Sequence, residues 1–187
     1  MFSEKCGISG EVELLWTLGI GVNRDYRTRA ISVSPETYTY NSVERNGLQS
    51  ANTVTTPLVS GANLTKDQCP KTTEELQDMP GNSYRELVGS LQYIPRPDIS
   101  FALRRLTQFL EDPGHARLEA PRRALRYIKG TKNRSLNLGG DVADLAECMD
   151  SDWGGDRDDQ KSISAYIFRM GDGAISSKTK NQTSVTL

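Results

Sequence analysis

Residues 148–180, CMDSDWGGDRDDQKSISAYIFRMGDGAISSKTK, decide the fold class of the C-terminal part of this chain. LAECMD (145–150) reads as a strand that enters an acidic loop. SISAYIFRM (162–170) then alternates, with Ile163, Ala165, Ile167 and Arg169 on one side and Ser164, Tyr166, Phe168 and Met170 on the other. That is the two-residue period of a strand. GDG is a hairpin turn, and AISSKTK (174–180) returns as a third strand. The order strand, acidic loop, strand, hairpin, strand begins a sheet and carries no helix to cover it. Such a sheet leaves an apolar face and an open edge.

Upstream the periodicity changes from strand to helix. Ser83 and Glu86 make a capping box, with the acid three residues after the cap. Leu87, Leu91 and Ile94 mark one face of the helix that follows, and Pro95 and Pro97 end it. Asp98 caps a second helix, ISFALRRLTQFL. Its apolar face runs through Phe101 or Ala102, Leu106, Phe109 and Leu110, with Arg104, Arg105 and Gln108 on the other side. A third helix, HARLEAPRRALRYIKG, aligns Leu118, Leu125 and Ile128, while Arg122, Arg126 and Lys129 share a different face. Pro121 inside this pattern must kink the helix or delay its start, and Gly130 stops it. His115, the one histidine, reads as a loop or first-turn residue.

The N-terminal part reads as a hairpin, VELLWTLGIGV (12–22) and AISV (30–33) around a polar turn, with Trp16 expected in the core. Residues 34–47 read as a short helix capped by Ser34, with Pro35 at its first position and Gly47 at its exit. Residues 48–82, rich in Thr, Ser, Asn, Pro and Gly, read as a linker or surface loop in which TTEEL makes one turn. SLNLGG (135–140) is a short strand or turn. The fold class is therefore α+β.

Composition narrows the function classes. The net charge of −1 hides a split. Residues 101–134 carry nine Arg or Lys against three acids, and residues 141–159 carry eight acids against Arg157. A basic segment followed by an acidic one fits phosphate on one side and a cation on the other. Three scattered cysteines make neither a zinc pattern nor a disulfide framework. MFSEKCGISG has no signal-peptide core, and no run approaches the roughly 20 apolar residues of a membrane span. The expectation is an intracellular protein, cytoplasmic or nuclear, with no membrane partner.

Three phrases carry a resemblance: LGIGVNRD, YRELVGSLQYI…RPDISFALRRLTQFLEDPGHARLEAPRRALRYIKGT, and DSDWGGDRDDQKSISAYIFRMGDGAISSKTKNQ. In this order and spacing they resemble the Pol polyprotein of copia-type (Pseudoviridae) retrotransposons, from about residue 12 to the end. The resemblance implies a reverse transcriptase palm tail and linker over 1–82 and a helical thumb/connection over 83–134. Over 135–187 it implies a truncated ribonuclease H-like domain with an incomplete three-stranded sheet. The chain departs from the family in the short spacing before RPDI and at Leu118, Pro121, Ala165 and Ser177.

The same resemblance implies the site residues. Asp150 matches the first ribonuclease H carboxylate, a catalytic and metal position. Asp152, two residues on, shares its side of a strand that persists and is the second candidate metal ligand. Asp141, Asp144, Asp156, Asp158 and Asp159 read as a solvated loop. Mg²⁺ suits a hard-oxygen site of this kind, but the remaining carboxylates of the family lie beyond the last residue here. No Tyr-x-Asp-Asp polymerase hairpin is present. Arg104, Arg105, Arg122, Arg123, Arg126 and Lys129 are the candidate phosphate contacts, with RNA–DNA hybrid or duplex as the ligand and the rest of the polyprotein as the parent family's partner. The expectation is a retrotransposon remnant without catalysis of its own and with no tightly bound Mg²⁺. The alternatives are a working portion of a polyprotein that copies RNA and hydrolyses it in hybrids, and a small nonspecific nucleic-acid-binding protein acting through 98–130.

Overall fold

The structure, a computed structural model, describes residues 15–61, 64–65, 83–111, 118–139, 145–156, 158–171 and 173–185. The expected turn in TTEEL, the cap by the Ser83 side chain, His115, Asp141 and Asp144 lie outside the described residues.

The N-terminal residues form two hairpins rather than one. Strand β1 is Trp16–Thr17, β2 is Ile20–Asp25 and β3 is Ala30–Ser34. Leu18 and Gly19 join β1 to β2 with φ of 49° and 83°, the left-handed pair that a two-residue hairpin turn requires. Asp25 closes the next turn, its carboxylate accepting from the backbone N–H of Arg27 at 2.8 Å and of Thr28 at 3.3 Å. Trp16, expected in the core, is 57 % exposed, because β1 is the edge of its sheet. The fourth strand, β4 (Leu136–Gly139), pairs antiparallel with β3, so the sheet order is β1-β2-β3-β4. Sequence grouped those four residues with the chain that follows them. Their hydrogen bonds join them to the N-terminal sheet instead.

Helix α1 spans Glu36–Arg45 and lies against β2. It starts one residue later than expected: Ser34 is the last residue of β3, and Pro35 is the cap, its carbonyl accepting from Thr39 N at 2.8 Å. Helix α2 is Ser83–Gln92. A 3₁₀ turn, Pro97–Ile99, leads into α3, Ser100–Thr107. Helix α4 is Glu119–Gly130. Pro121 sits in the first turn of α4, where a missing N–H breaks no helical bond, so the helix begins late and does not kink.

The expected apolar faces meet in one core. Leu87, Leu91 and Ile94 from α2 and its exit, Ala102, Leu106 and Phe109 from α3 and its exit, and Leu118, Leu125 and Ile128 from the cap and body of α4 are all buried. Phe101, the alternative to Ala102, is half exposed. Tyr84 is buried among these residues and donates its hydroxyl to Leu106 O at 2.9 Å.

The C-terminal residues form a second antiparallel sheet of three strands, β5 (Leu145–Ser151), β6 (Lys161–Met170) and β7 (Gly173–Val185), in that order. The β6 alternation is borne out: Asp150 pairs with Ala165 and Met149 with Tyr166. β7 runs longer than expected, as far as Val185. The second sheet meets the rest of the molecule along β7, which contacts α3 and β4. The protein is thus an α+β fold of two antiparallel sheets around a helical core. Among the described residues no helix is long and apolar enough to cross a membrane.

Candidate functional site

β5 delivers Asp150 at its penultimate position, and every residue of that strand is exposed. The strand stops at Ser151. Asp152 donates its N–H to Ile163 O at 3.0 Å, and its carboxylate accepts from the N–H of Ile163. One carboxylate oxygen of Asp152 therefore closes the β5–β6 connection. A Cβ at Gly155 would meet the Asp152 carboxylate and force it to shift. Among the described residues no group of three or more His, Cys, Asp and Glu side chains converges to hold an ion.

Asp156 is the acid that the sequence reading misplaced. It was expected in a solvated loop and is 5 % exposed. Its Oδ2 accepts from Gln108 Nε2 at the C-cap of α3 and from Asn181 Nδ2 of β7 at 3.2 Å, and lies 3.8 Å from Arg105 Nη1. Its Oδ1 accepts from the N–H of Asp158 at 3.1 Å. Burying a carboxylate is costly unless charge and donors surround it, and here both helix and strand supply them. Asp156 pins the acidic loop to α3. The apolar period of α3 showed which side faces the core, but nothing local showed that its polar side meets a second sheet. Asp159 pairs with Lys161 at 3.0 Å on the surface.

The six candidate phosphate contacts are separated by the fold. Arg105 is buried beside Asp156, and its Nη2 donates to Leu64 O at 3.4 Å. Arg104 donates to Asn181 Oδ1 at 2.9 Å. The other four lie on α4, and three of them fasten residues 48–56 to that helix. Lys129 Nζ donates to the carbonyls of Leu48 at 3.2 Å, Gln49 at 2.5 Å and Ala51 at 2.8 Å. Arg126 Nε donates to Asn52 O at 2.6 Å, and Arg123 Nη2 to Thr56 Oγ1 at 3.0 Å. Arg122 makes a surface pair with Glu119 at 3.2 Å. Carbonyls of an irregular segment need donors, and a helix face rich in cations provides them.

A second polar cluster holds α4 to the turn before α3. Arg96 is 6 % exposed and forks onto Asp98, with Nε to Oδ1 at 2.8 Å and Nη2 to Oδ2 at 2.6 Å. Its Nη1 donates to Thr131 O at 2.9 Å, and Tyr127 donates its hydroxyl to Asp98 Oδ2 at 2.8 Å. Burial alone would raise the Asp98 carboxyl. The hydrogen bonds from Arg96 and Tyr127 outweigh it and hold the group below its ordinary value. Burial and the bond to Asp98 push the Tyr127 hydroxyl up. The bidentate geometry makes this a strong ion pair. Sequence reading gave Asp98 a helix-capping role and gave Arg96 none; the two prolines beside Arg96 were the local signal that its backbone is fixed.

The chain is 38 % identical over 173 residues to the "Retrovirus-related Pol polyprotein from transposon TNT 1-94" of Nicotiana tabacum, covering 91 % of this chain and 13 % of that protein. It is 35 % identical over 186 residues to the "Retrovirus-related Pol polyprotein from transposon RE1" of Arabidopsis thaliana, covering 98 % of this chain and 12 % of that protein. It is also 34 % identical over 108 residues to the "Secreted RxLR effector protein 161" of Plasmopara viticola, covering 56 % of this chain and 76 % of that protein. No family model matches, and no solved structure matches. The chain spans about an eighth of the length of the two Pol polyproteins. Nearly the whole of it, through both sheets and the helical core, aligns with those polyproteins, and it belongs to the copia-type retrotransposon Pol polyprotein family.

Proposed function

We propose that this chain is a remnant of the reverse transcriptase/ribonuclease H region of a Pol polyprotein, without catalysis of its own. In this reading residues 1–82 derive from the palm tail and linker, 83–134 from the thumb/connection, and 135–187 from the opening of a ribonuclease H-like domain. Asp150 is the inherited first carboxylate. One observation carries the reading. Asp150 stands on an exposed strand, while Asp152 is bonded to Ile163 N–H and Asp156 is buried against α3. A two-cation hydrolase needs several carboxylates on one ion pair. The described residues do not fit a Mg²⁺ pair.

The test is cleavage of the RNA strand of an RNA–DNA hybrid by the purified chain with Mg²⁺. No cleavage is expected. Cleavage abolished by Asp150→Asn would overturn the reading. Because the chain spans about an eighth of its polyprotein relatives, the alternative is a working portion completed by neighbouring chain. Extending the chain with in-frame flanking sequence and regaining Asp150-dependent cleavage would establish that alternative. Nucleic-acid affinity in this reading is weak and salt-dependent, and of the six candidate contacts rests most on Arg122, whose side chain is 42 % exposed and, among the described residues, paired at the surface with Glu119.

A further inference from the structure

The β2–β3 hairpin carries three arginines at its tip. Arg24 is the penultimate residue of β2, and residues 26–29 form the loop that leads into β3. Arg24, Arg27 and Arg29 are all exposed. Among the described residues none of the three guanidiniums has a carboxylate or carbonyl partner. Asp25 is the one acid in residues 23–29, so the tip holds three positive charges against one negative. Five of the six cations expected to meet phosphate are instead bonded to distant parts of the same chain. The sequence shows residues 23–29 only as a polar turn; the structure leaves its cations unspent.

The tip is also held in one shape. The Asp25 carboxylate accepts from the N–H of Arg27 and of Thr28 and so fixes the loop backbone. Arg29 closes the loop in the left-handed region, with a φ of 56°. Arg24 lies over the Tyr26 ring, 5.0 Å from its centroid, and this cation–π contact holds the guanidinium at the base of the loop. The β2–β3 ladder runs unbroken from Gly21–Ser34 to Asp25–Ala30, up to the loop itself. Cations on a fixed backbone lose less freedom on meeting an anion than cations on a loose one.

We propose that this hairpin tip is a contact for the phosphate backbone of duplex nucleic acid, with Arg24, Arg27 and Arg29 as its donors. The choice of nucleic acid as partner rests on the functional reading above; the location of the contact rests on the hairpin alone. Three features select the partner. All three cations are arginines, whose planar fork matches the oxygens of a phosphate. Several like charges on one turn suit a polyanion with regularly repeated charge. Tyr26 is the one side chain with an apolar body in residues 23–29, whereas a basic surface that settles on a membrane also needs an apolar face to bury. Contacts to phosphate carry no sequence information, so the binding is indifferent to base sequence.

The experiment titrates the full chain against a duplex of about 20 base pairs, by fluorescence anisotropy, from about 50 to about 200 mM salt. Each neutralised phosphate contributes about 0.9 to the slope of log affinity against log salt. Arg27→Gln/Arg29→Gln is expected to flatten the slope by about 1.8, and Arg24→Gln/Arg27→Gln/Arg29→Gln by about 2.7, with affinity at low salt about tenfold weaker or worse. Lys178→Gln/Lys180→Gln removes two exposed charges from β7 and is the charge-matched control, expected to leave the slope unchanged. Arg24→Lys/Arg27→Lys/Arg29→Lys keeps the charge and is expected to keep the slope while losing the part of the affinity that the fork supplies. Far-UV circular dichroism checks folding. Arg27→Gln alone decides if the double variant unfolds, because the bond Arg27 makes to Asp25 comes from its backbone N–H. A chain that binds no duplex at low salt, a slope unmoved by the hairpin variants, or an equal change in the lysine control would each overturn the proposal. So would equal affinity for polyglutamate or for phosphatidylserine vesicles, lost in the same variants, since the tip would then be a site for acidic protein or membrane. None of these results moves the reading of the chain as non-catalytic, which the cleavage assay decides separately.

Discussion

Leu87, Leu91, Ile99, Leu106, Leu125 and Ile128 of the helical body are each 1 % exposed or less, whereas in the C-terminal sheet Ile163 is the one buried hydrophobic residue among those described and all of β5 is exposed. The two regions are held by different physics. The helices bury apolar surface against one another, the dominant favourable term in folding. The sheet has its backbone ladders and a polar dock, Asp156 with Arg105, Gln108 and Asn181. A region held mainly by polar contacts depends on its neighbours, because each buried charge needs all its partners in place. That contrast also sets Asp150, on a strand whose residues are all exposed, apart from the packed helical body.

The comparison breaks most directly at the core. Leu125→Ala is expected to destabilise the chain by about 3 to 4 kcal/mol in urea unfolding, since it opens a cavity in a close-packed site. Ile163→Ala is expected to cost about 2 kcal/mol and to loosen the second sheet alone, read by amide exchange. Equal effects on both regions would show that they unfold as one unit.

The Arg96–Asp98 pair comes next. Asp98→Ala leaves the Arg96 guanidinium buried without its anion, and a loss of about 3 kcal/mol is expected. The same group gives a pH signature. The Asp98 carboxyl is held below its ordinary value in the folded chain. Its stabilisation is therefore complete above the unfolded value, about 3.9, and is lost as pH falls through the lower folded value. The stability difference between wild type and Asp98→Asn should hold steady from about pH 7 to 5 and shrink below about pH 4. A difference that grows on acidification would contradict this sign.

Smaller effects sharpen the contrast. Asp156→Asn keeps the shape and removes the charge, and a loss of about 1.5 kcal/mol is expected. Exchange should rise in 152–163 and 173–185 while α4 keeps its protection. Least of all, Arg122→Glu should change stability by less than about 0.5 kcal/mol. It should lower the salt slope of any nucleic-acid binding by about one. A titration against duplex at several salt concentrations reads it, and an unchanged slope would remove Arg122 from the interface.

What could be read in advance was local. The apolar periods of α2, α3 and α4 name the buried leucines, and the alternation of 162–170 names both faces of β6, because each pattern repeats within a few residues of backbone geometry. Ser34, Pro35 and Gly47 located α1 to within a residue. Trp16 was misread because alternation tells which side of a strand is apolar, not whether another layer covers it.

The sequence by itself determined the element types, the apolar faces and, through the order of its phrases, the family. Only the tertiary structure decided the fate of the charges. Lys129 and Arg126 became struts for residues 48–56, and Asp156 became the dock of the second sheet. A period is written into neighbouring residues, but a buried charge takes its role from partners that meet it only when distant segments pack.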